Sequence, residues 1–261
     1  NRIKFDLLER AKEKEVFKAK LEFFTNVAHE IRTPLTLIKA PLEKVIKKTE
    51  ESPEIKKNLL IMERNTNRLI ELTNQLLDFR QTEIKGFSLN FTKSNISDLL
   101  EDTYQSFKPL AEQKNLNFSL HLPSTELVAS VDVDAFNKIL NNLFSNAIKY
   151  ASREVAVSLL PFTVQENIFT IEVENDGFRI PMDMKKKIFE PFFRLKETEK
   201  QKGTGIGLAI SHSLTELHKG VLELKDGKPG FNVFSLTLPI HQKSELNYEA
   251  ISEQEPELID N

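Results

Sequence analysis

Two series of regularly spaced apolar residues near the start of the chain constrain its fold more than any other feature. The first series recurs at helical spacing: Phe24, Val27/Ala28, Ile31, Leu35, Ile38, Leu42 and Val45. The second alternates steps of four and three residues: Ile55, Leu59, Met62, Thr66, Leu69, Thr73 and Leu76. The first spacing predicts a long amphipathic helix, and the second predicts a helix with a coiled-coil-like seam.

The segment KKTEESP separates the two series and predicts a short loop between two helices. Ser52 can cap a helix whose first turn contains Pro53, whereas Pro34 and Pro41 each remove an amide donor and should bend the first helix. A lone helical hairpin buries little apolar surface, so we expect two copies to pair into a dimeric four-helix bundle. A bundle within one chain is disfavoured because no further long helices of this kind follow.

The second half of the chain changes to alternating strand and helix patterns. Strand-like segments are FSLNF, NFSLHLP, VAVSLLPF, NIFTIEVEN, VLELK and NVFSLTLPI, and helical segments are ISDLLEDTYQSF and DAFNKILNNLFSNAIKYA. This succession predicts an α+β protein whose second part is an α/β sandwich, a mixed sheet with helices on one face. We place the domains at 1–22 (a helix leading from a preceding domain), 23–86 (the hairpin), 87–241 (the sandwich) and 242–261 (an acidic linker or tail).

Composition excludes several classes of function. The net charge of −3 gives no overall basic surface for nucleic acid. The absence of cysteine excludes disulfides, thiolate zinc sites and a cysteine nucleophile, and it agrees with a reducing compartment. No apolar run approaches the roughly 18 residues of a membrane-spanning helix. Because the chain begins within a helical pattern, we interpret it as a fragment of a longer protein.

His29 lies on the polar side of the first predicted helix. At about 100° per residue from Phe24, it falls about 140° from the apolar series and is expected to face solvent. A lone exposed histidine is an ordinary surface residue, but Glu30 follows it directly and Thr33 lies one turn later. A neutral imidazole is a good nucleophile near pH 7, and a neighbouring carboxylate can fix its tautomer and accept the released proton.

Two groups in the second half have side chains suited to phosphates. Asn142 and Asn146 are four residues apart, so both amides lie on one helix face, and Lys149 follows three residues later. An amide oxygen is a hard donor that suits Mg²⁺, and an ammonium suits a phosphate as a point charge. The segment GTGIGLAI opens a helix whose free amides and dipole can receive phosphates. Its glycines are Gly203, Gly205 and Gly207. Either group alone is a weak signal.

The run His29-Glu30-x-Arg32-Thr33-Pro34-Leu35 resembles the phosphoacceptor box of bacterial sensor histidine kinases, in the subclass with the pattern H-E-x-x-T. The resemblance implies that His29 is autophosphorylated and that Glu30 is the general base. It implies that Thr33 orients water when the protein acts as a phosphatase. It also implies transfer of the phosphoryl group to an aspartate of a response-regulator receiver domain, on the same chain or a separate one.

The same resemblance covers about residues 15–241 and implies an ATP-binding domain in the second half. NKILNNLFSNAIKYA resembles the family's asparagine box: Asn142 and Asn146 are its asparagines, Asn146 ligates Mg²⁺, Lys149 meets a phosphate and Tyr150 lies on the adenosine side. IFEPFFRL resembles its phenylalanine box, in which Arg194 meets the γ-phosphate. The glycines at 203, 205 and 207 receive phosphates, and KETEKQK forms a lid.

The segment VENDGFRIP departs from the family pattern, which has Asp in place of Asn175, Asn in place of Asp176 and Gly in place of Arg179. An amide oxygen can accept a hydrogen bond, so we expect the oxygen of Asn175 to accept one from the adenine amino group, while Gly177 lets the backbone approach the base. Asp176 is not expected to substitute, because its side chain points away from the base. The lost charge, with strain at Arg179 if φ is positive there, is expected to weaken nucleotide binding about ten- to a hundred-fold.

Three functions compete at this point. The leading one is a homodimeric histidine kinase core that uses ATP and Mg²⁺ and forms the cytoplasmic portion of a membrane-anchored sensor in the inner membrane. The run FFTNVAHEIRTPLTLI also resembles that of hybrid sensors, which carry a receiver on the same chain. The second is an ATP-poor scaffold or phosphatase-only module, which only the altered VENDGFRIP segment favours. The third is an ATP-driven conformational machine of the chaperone or topoisomerase type, which has no use for an exposed His–Glu pair. The stimulus, and autophosphorylation in cis or in trans, are left open.

Overall fold

The computed structural model describes residues 28, 31–33, 35–46, 53–83, 88–161, 167–198, 201, 203–227 and 229–242. The chain divides into two units, Asn1–Phe87 and Ser88–Asn261, and each is described by itself. Within the described ranges, no helix combines the length and the apolar character needed to span a bilayer.

The described part of the first unit is helical. Helix α1 spans Pro53–Glu83, and residues 35–46 before it are also helical. The guanidinium of Arg32, in the helical residues 31–33, donates a hydrogen bond to Oδ1 of Asn74 in α1. Several residues of the predicted hairpin lie outside the described part of the chain: Phe24, Val27, Pro34 and Ser52.

Two sets of positions stand out along the helices of this unit. The set buried within the unit comprises Ala28, Leu35, Leu42, Thr66, Thr73, Leu77 and Phe79. The other set repeats every seven residues on both helices and is 40–58% exposed: Ile31, Ile38, Val45, Ile55, Met62 and Leu69. We call this second set the exposed stripe. Because a seven-residue repeat keeps side chains on one face of a helix, the exposed stripe is an apolar strip along each helix.

The described part of the second unit contains seven strands in two sheets. The strands are β1 Thr92–Asn95, β2 Asn117–His121, β3 Val128–Val131, β4 Glu154–Leu159, β5 Ile168–Asn175, β6 Val221–Lys225 and β7 Asn232–Pro239. Strands β1 and β3 pair antiparallel, and the others form a sheet in the order β2-β4-β5-β7-β6. In this sheet β2 is parallel to β4 and every other neighbouring pair is antiparallel.

Three helices cover one face of the larger sheet: α2 Ile96–Gln113, α3 Val133–Tyr150 and α4 Gly207–Leu217. Helix α3 lies against β5 and contacts both of the other helices. Along β5 every second residue from Phe169 to Asn175 is buried, and the residues between them are half-exposed. This alternation is typical of a sheet that packs on one face only. The predicted α+β fold, a helical region followed by a mixed sheet with helices on one face, is confirmed.

The beginning of the second unit differs from the sequence-based prediction. The predicted strand FSLNF is not a strand where it is described, at residues 88–91, and β1 begins at Thr92 instead. The reason is that the Asn90 amide donates to Oδ2 of Asp132 at 2.8 Å, and the Phe91 ring packs edge-on against His218 at 5.6 Å. These contacts bind the segment to the rest of the unit without a strand ladder. The prediction also missed β3.

His218 joins the end of α4 to the beginning of α3. Its side chain is fully buried, Nδ1 donates to the Leu214 carbonyl at 2.8 Å, and Nε2 accepts from the Asp132 amide at 3.2 Å. A backbone N–H on Nε2 requires the neutral ring. Burial lowers the pKa of His218 below its ordinary 6.5, and the Leu214 carbonyl and the Asp132 charge do not offset this effect.

We predict that the second unit loses stability in mild acid because of His218. The unfolded chain binds a proton near the ordinary pKa of 6.5 and the folded chain binds it only at lower pH. The contribution is therefore complete above about pH 6.5 and is lost as pH falls toward the folded-state pKa. Urea unfolding followed by tyrosine fluorescence should show a lower free energy of unfolding at pH 5 than at pH 7.5. His218→Gln should reduce this difference. His121→Gln, a change at an exposed position, should leave it unchanged. Equal pH dependence in the wild type and both variants would show that His218 does not cause the loss of stability.

Candidate functional site

Helix α3 presents polar side chains along one flank. Asn142, Asn146 and Lys149 fall within about 60° of one another around the helix axis. The buried residues of the helix are centred roughly 120° away from this flank around the axis: Ala135, Phe136, Ile139, Leu140, Leu143, Phe144, Ala147 and Ile148. Burial of those side chains therefore fixes the direction in which the polar flank faces.

Asn142 connects the polar flank to the glycine-rich segment. Its Nδ2 donates to the Gly207 carbonyl and to Oγ of Ser211, both at 3.2 Å. These bonds hold the first turn of α4 against α3. Asn146 is half-buried, and within the described residues no hydrogen bond is made to its side chain. Its amide oxygen is therefore available to a ligand.

The ammonium of Lys149 lies between the tyrosine and the glycine-rich segment. Nζ donates to the Tyr150 hydroxyl at 2.8 Å and stands 4.4 Å from the centre of its ring. A β-carbon added at Gly203 would lie only 2.6 Å from the same Nζ. The structure thus brings Lys149, Tyr150 and Gly203 together, which places a cation beside the glycine-rich segment.

Gly205 interlocks this segment with the phenylalanine box. Its φ is +76°, and a β-carbon there would lie 2.8 Å from backbone atoms of both Phe192 and Phe193. Its carbonyl accepts a hydrogen bond from the Phe192 amide at 2.9 Å. Only glycine meets both requirements, because any other residue would be strained in φ and would clash with the backbone.

The members of the phenylalanine box have different roles. Phe189 is a packing residue, with its ring centre 5.2 Å from that of His212 and 6.5 Å from that of Phe234. The side chain of Arg194, which was expected to meet a γ-phosphate, donates to the carbonyls of Gln201 at 2.5 Å and Thr198 at 3.3 Å. In this structure Arg194 therefore bonds two described residues of the segment predicted to be the lid, Thr198 and Gln201.

Asn175, the last residue of β5, is 3% exposed and hydrogen-bonded inside the domain. Its Oδ1 accepts from the Gly177 amide at 3.1 Å and from Nδ2 of Asn232 at 3.3 Å. This differs from the expectation that the oxygen would face the base, because two internal donors occupy its lone pairs. Asn232 lies opposite Asn175 in the β5–β7 ladder and is 5% exposed.

Asp176 braces the end of β5. Its Oδ1 accepts hydrogen bonds from the amides of Ser152, Arg153 and Glu154 at 2.9, 2.9 and 3.0 Å. Burial raises the pKa of Asp176, but the hydrogen bonds from these amides outweigh burial and hold the pKa below its ordinary value of 3.8. The carboxylate therefore stays ionised and attaches β5 to the chain between α3 and β4.

Gly177 permits a close approach between β5 and α3. A β-carbon at this position would lie 2.1 Å from the carbonyl oxygen of Tyr150. Arg179 occupies the place of the family's second glycine, but its backbone does not have the positive φ that would strain a non-glycine residue. Among the described residues other than glycine, positive φ occurs at Asn115, Asn167, Phe192 and Lys219. Arg179 is not among them, so the backbone strain expected for a positive φ at this position does not apply.

The predicted phosphoacceptor residues His29 and Glu30 lie outside the described residues. Thr33 is helical and exposed. Asn142, Asn146, Lys149, Tyr150, Asn175, Gly177, Gly203, Gly205, Gly207 and Arg194 all belong to the second unit. Asn142 and Lys149 of α3 converge with the glycine-rich segment, and Tyr150 meets Gly177 at the end of the helix.

Two family models match the chain, one in each unit. The model described as "His Kinase A (phospho-acceptor) domain" matches residues 19–83. The model described as "Histidine kinase-, DNA gyrase B-, and HSP90-like ATPase" matches residues 131–242. The chain belongs to the sensor histidine kinases. It comprises the two domains of their catalytic core, and the family consists of ATP-dependent protein-histidine kinases.

Similar proteins agree with this family. "Histidine kinase P4" of Formosa agariphila is 33% identical over 258 residues, which is 97% of this chain and 19% of that protein. The chain thus spans about a fifth of this curated relative. Histidine kinase ThkA, in a crystal structure with the response regulator protein TrrA, has a TM-score of 0.61 and 26% identity over 89% of this chain and 65% of that one. Full-length ShkA in complex with AMPPNP has a TM-score of 0.73 at 21% identity over 84% of this chain and 45% of that one, which shows the shared fold alone.

Sequence reasoning missed Asn232 as a member of the candidate site. It lies 57 residues after Asn175 and becomes its neighbour only through the pairing of β5 with β7. The available signal was a polar residue at the start of NVFSLTLPI, on a strand whose other inward positions are apolar. The bracing role of Asp176 was also not foreseen, because its partners are backbone amides.

We predict that Asp176→Ala lowers the free energy of unfolding of this kinase core by about 1–3 kcal/mol, because three backbone amides lose a charged acceptor. Asp176→Asn should lose less, since it keeps an oxygen at the same place. Asp183→Ala is the matched control, because Asp183 is exposed and no described residue bonds its carboxylate. Urea unfolding near pH 7 measures all three. Equal stability of Asp176→Ala and Asp183→Ala would show that the three amides do not depend on Asp176.

Proposed function

We propose that this core autophosphorylates His29 with Mg-ATP and passes the phosphoryl group to an aspartate of a response-regulator receiver domain. The observation that carries the proposal is the convergence of the α3 flank with the glycine-rich segment. Lys149 lies against Gly203, and Asn142 holds the first turn of α4 at Gly207. Such an arrangement combines a helix N-terminus with a cation, which together favour a polyphosphate.

The phosphate end of the site suits Mg²⁺ bound mainly by the nucleotide. Among the described residues, no cluster of three or more histidine or acidic side chains forms a metal cage. Mg²⁺ commonly keeps several waters and takes few protein ligands besides phosphate oxygens. The amide oxygen of Asn146 can supply one such ligand. When bound, the ion neutralises charge on the phosphates and orients them.

The acceptor chemistry belongs to His29 and its neighbours in the H-E-x-R-T-P-L run. A nitrogen of the neutral His29 ring attacks the γ-phosphorus. The bond from that phosphorus to the β,γ-bridging oxygen breaks, and ADP leaves. Glu30 accepts the ring proton that is lost. Positioning and neutralisation of charge supply most of the rate, as in other phosphoryl transfers.

A homodimer provides the missing cover for the exposed stripe. Residues such as Ile38 and Met62 are 51% and 58% exposed within one chain. Two copies of the hairpin that place these stripes together form a four-helix bundle with an apolar centre. The phospho-acceptor domain match supports this arrangement. The complex of ThkA with a response regulator supports a receiver domain as the second partner. We also propose that the full-length protein is anchored in the inner membrane with this core on the cytoplasmic side.

A second candidate function is an ATP-poor scaffold or a phosphatase-only module. The observation that favours it is the internal use of the Asn175 oxygen, which removes one acceptor for adenine. The two candidates differ in whether labelled phosphate from ATP appears on the chain. Phosphatase activity is compatible with both.

We predict that γ-labelled ATP places acid-labile, base-stable phosphate on this chain and that His29→Gln removes all of it, because no other imidazole can replace the acceptor. His121→Gln, a change at an exposed histidine of the second unit, should label like the wild type. Size-exclusion chromatography with light scattering should show that His29→Gln remains dimeric. Label that persists in His29→Gln would contradict the assignment, and absence of label in the wild type would favour the scaffold.

We predict that Thr33→Ala keeps autophosphorylation but slows dephosphorylation of a phosphorylated receiver domain about 10²-fold, because the proposed role of the hydroxyl is to place the attacking water. Thr36→Ala is the control, since its exposed hydroxyl bonds the Arg32 carbonyl of its own helix at 2.9 Å. Autophosphorylation is measured with γ-labelled ATP, and dephosphorylation is measured with a labelled, phosphorylated receiver domain. A parallel fall of both activities in Thr33→Ala would assign Thr33 to helix geometry instead.

A further inference from the structure

The side-chain amide of Asn175 has an orientation that the surrounding backbone determines. Asn232 is fixed first: its Oδ1 accepts from the Ile180 amide at 2.9 Å, and its Nδ2 donates to the Phe178 carbonyl at 2.9 Å. A backbone N–H can only donate and a carbonyl can only accept, so the oxygen and nitrogen of Asn232 cannot exchange places.

The orientation of Asn232 then determines that of Asn175. The second hydrogen of Asn232 Nδ2 needs an acceptor, and so does the Gly177 N–H. Both find Oδ1 of Asn175, at 3.3 and 3.1 Å. Exchanging the oxygen and nitrogen of Asn175 would set its N–H groups against two donors. Oδ1 of Asn175 therefore faces the two internal donors, and Nδ2 is the polar atom left to face a ligand.

Nδ2 of Asn175 is an unused donor on a side chain that is 97% buried, since its exposed fraction is 3%. It makes no hydrogen bond to any residue that the structure describes. The polar atoms of the described chain that are both unpartnered and fully enclosed are Arg32 Nε, Ser97 Oγ and Ser235 Oγ. Because Nδ2 is not one of them, it is not fully enclosed by the protein.

The location of this donor matches the base end of the proposed nucleotide site. Asn175 is two residues from Gly177, whose backbone meets the Tyr150 carbonyl at the end of α3. Tyr150 in turn bonds Lys149, the cation beside the glycine-rich segment. An aspartate at position 175 would keep one oxygen on the two internal donors and present its second oxygen as an acceptor. This chain presents an N–H at that place.

We propose that Asn175 presents a hydrogen-bond donor to the purine base where an aspartate would present an acceptor. A 6-oxopurine nucleotide is then expected to bind at least as tightly as the corresponding adenine nucleotide. The inference rests on the proposed nucleotide-binding function. A purine with oxygen at position 6 offers an acceptor to Nδ2, whereas the adenine amino group offers a second donor. Adenine has its own acceptor, N1, next to position 6, so ATP remains a ligand through N1.

The test compares ADP with IDP, which differ at position 6 and at the N1 proton and cannot donate a γ-phosphoryl group. Each displaces ribose-labelled mant-ADP from the whole chain in the presence of Mg²⁺. Wild type should bind IDP as tightly as ADP or more tightly. Asn175→Asp should shift the ratio of the two dissociation constants about ten- to a hundred-fold toward ADP, because its second oxygen accepts from the amino group and repels O6. Asn146→Ala, at the phosphate end, should weaken both nucleotides and leave their ratio unchanged.

Two outcomes would overturn the inference, and only the second would also overturn the proposed function. If wild type binds ADP more than about tenfold better than IDP, Asn175 does not present a donor to the base, while the nucleotide site and the proposed kinase function stand. If the mant-ADP probe itself does not bind to the wild-type chain, the proposed nucleotide-dependent function fails together with the inference. Because the wild-type ratio decides the first question alone, poor folding of Asn175→Asp does not remove the test.

Discussion

The second unit depends on the burial of one side of α3 against the larger sheet. Eight apolar residues of this helix, from Ala135 to Ile148, are buried, and helices with such a stripe have little freedom to rotate. The same contact that stabilises the core therefore aims the polar flank of the helix. Asn142 then fixes α4, and Tyr150 meets the end of β5 at Gly177. The candidate site is assembled from three chain segments by a single packed helix.

Periodicity in the sequence was enough to predict this helix and its flank, because the spacing of Asn142, Asn146 and Lys149 is a local property. The mixed sheet followed from the same kind of local pattern. The short strands β1 and β3 were not predictable in this way. Each has four residues, too few for alternation to be distinctive, and the preceding segment is bound through Asp132 and His218, which are distant in sequence.

The base end of the site shows the limit of reasoning from local sequence more sharply. Position 175 was singled out from the sequence, but which of its two polar atoms faces outward depends on Asn232, and the orientation of Asn232 depends on the backbone at Phe178 and Ile180. A chain of hydrogen bonds across two strands therefore decides a chemical property of one side chain. Residue type alone leaves both orientations open, since an amide is donor and acceptor at once.

The neighbouring residues Asn175 and Asp176 have different roles, one at the ligand side of the site and one in holding the end of β5. Asp176 maintains the scaffold through three amides, while Asn175 ends the strand with one atom unengaged. Substitution at 175 can consequently alter which small molecule is recognised without weakening the brace next to it. Paralogous kinases in one cell could diverge at this position without rebuilding their fold, and a competitive inhibitor with an acceptor placed to meet the amide nitrogen would distinguish this chain from relatives that carry a carboxylate there.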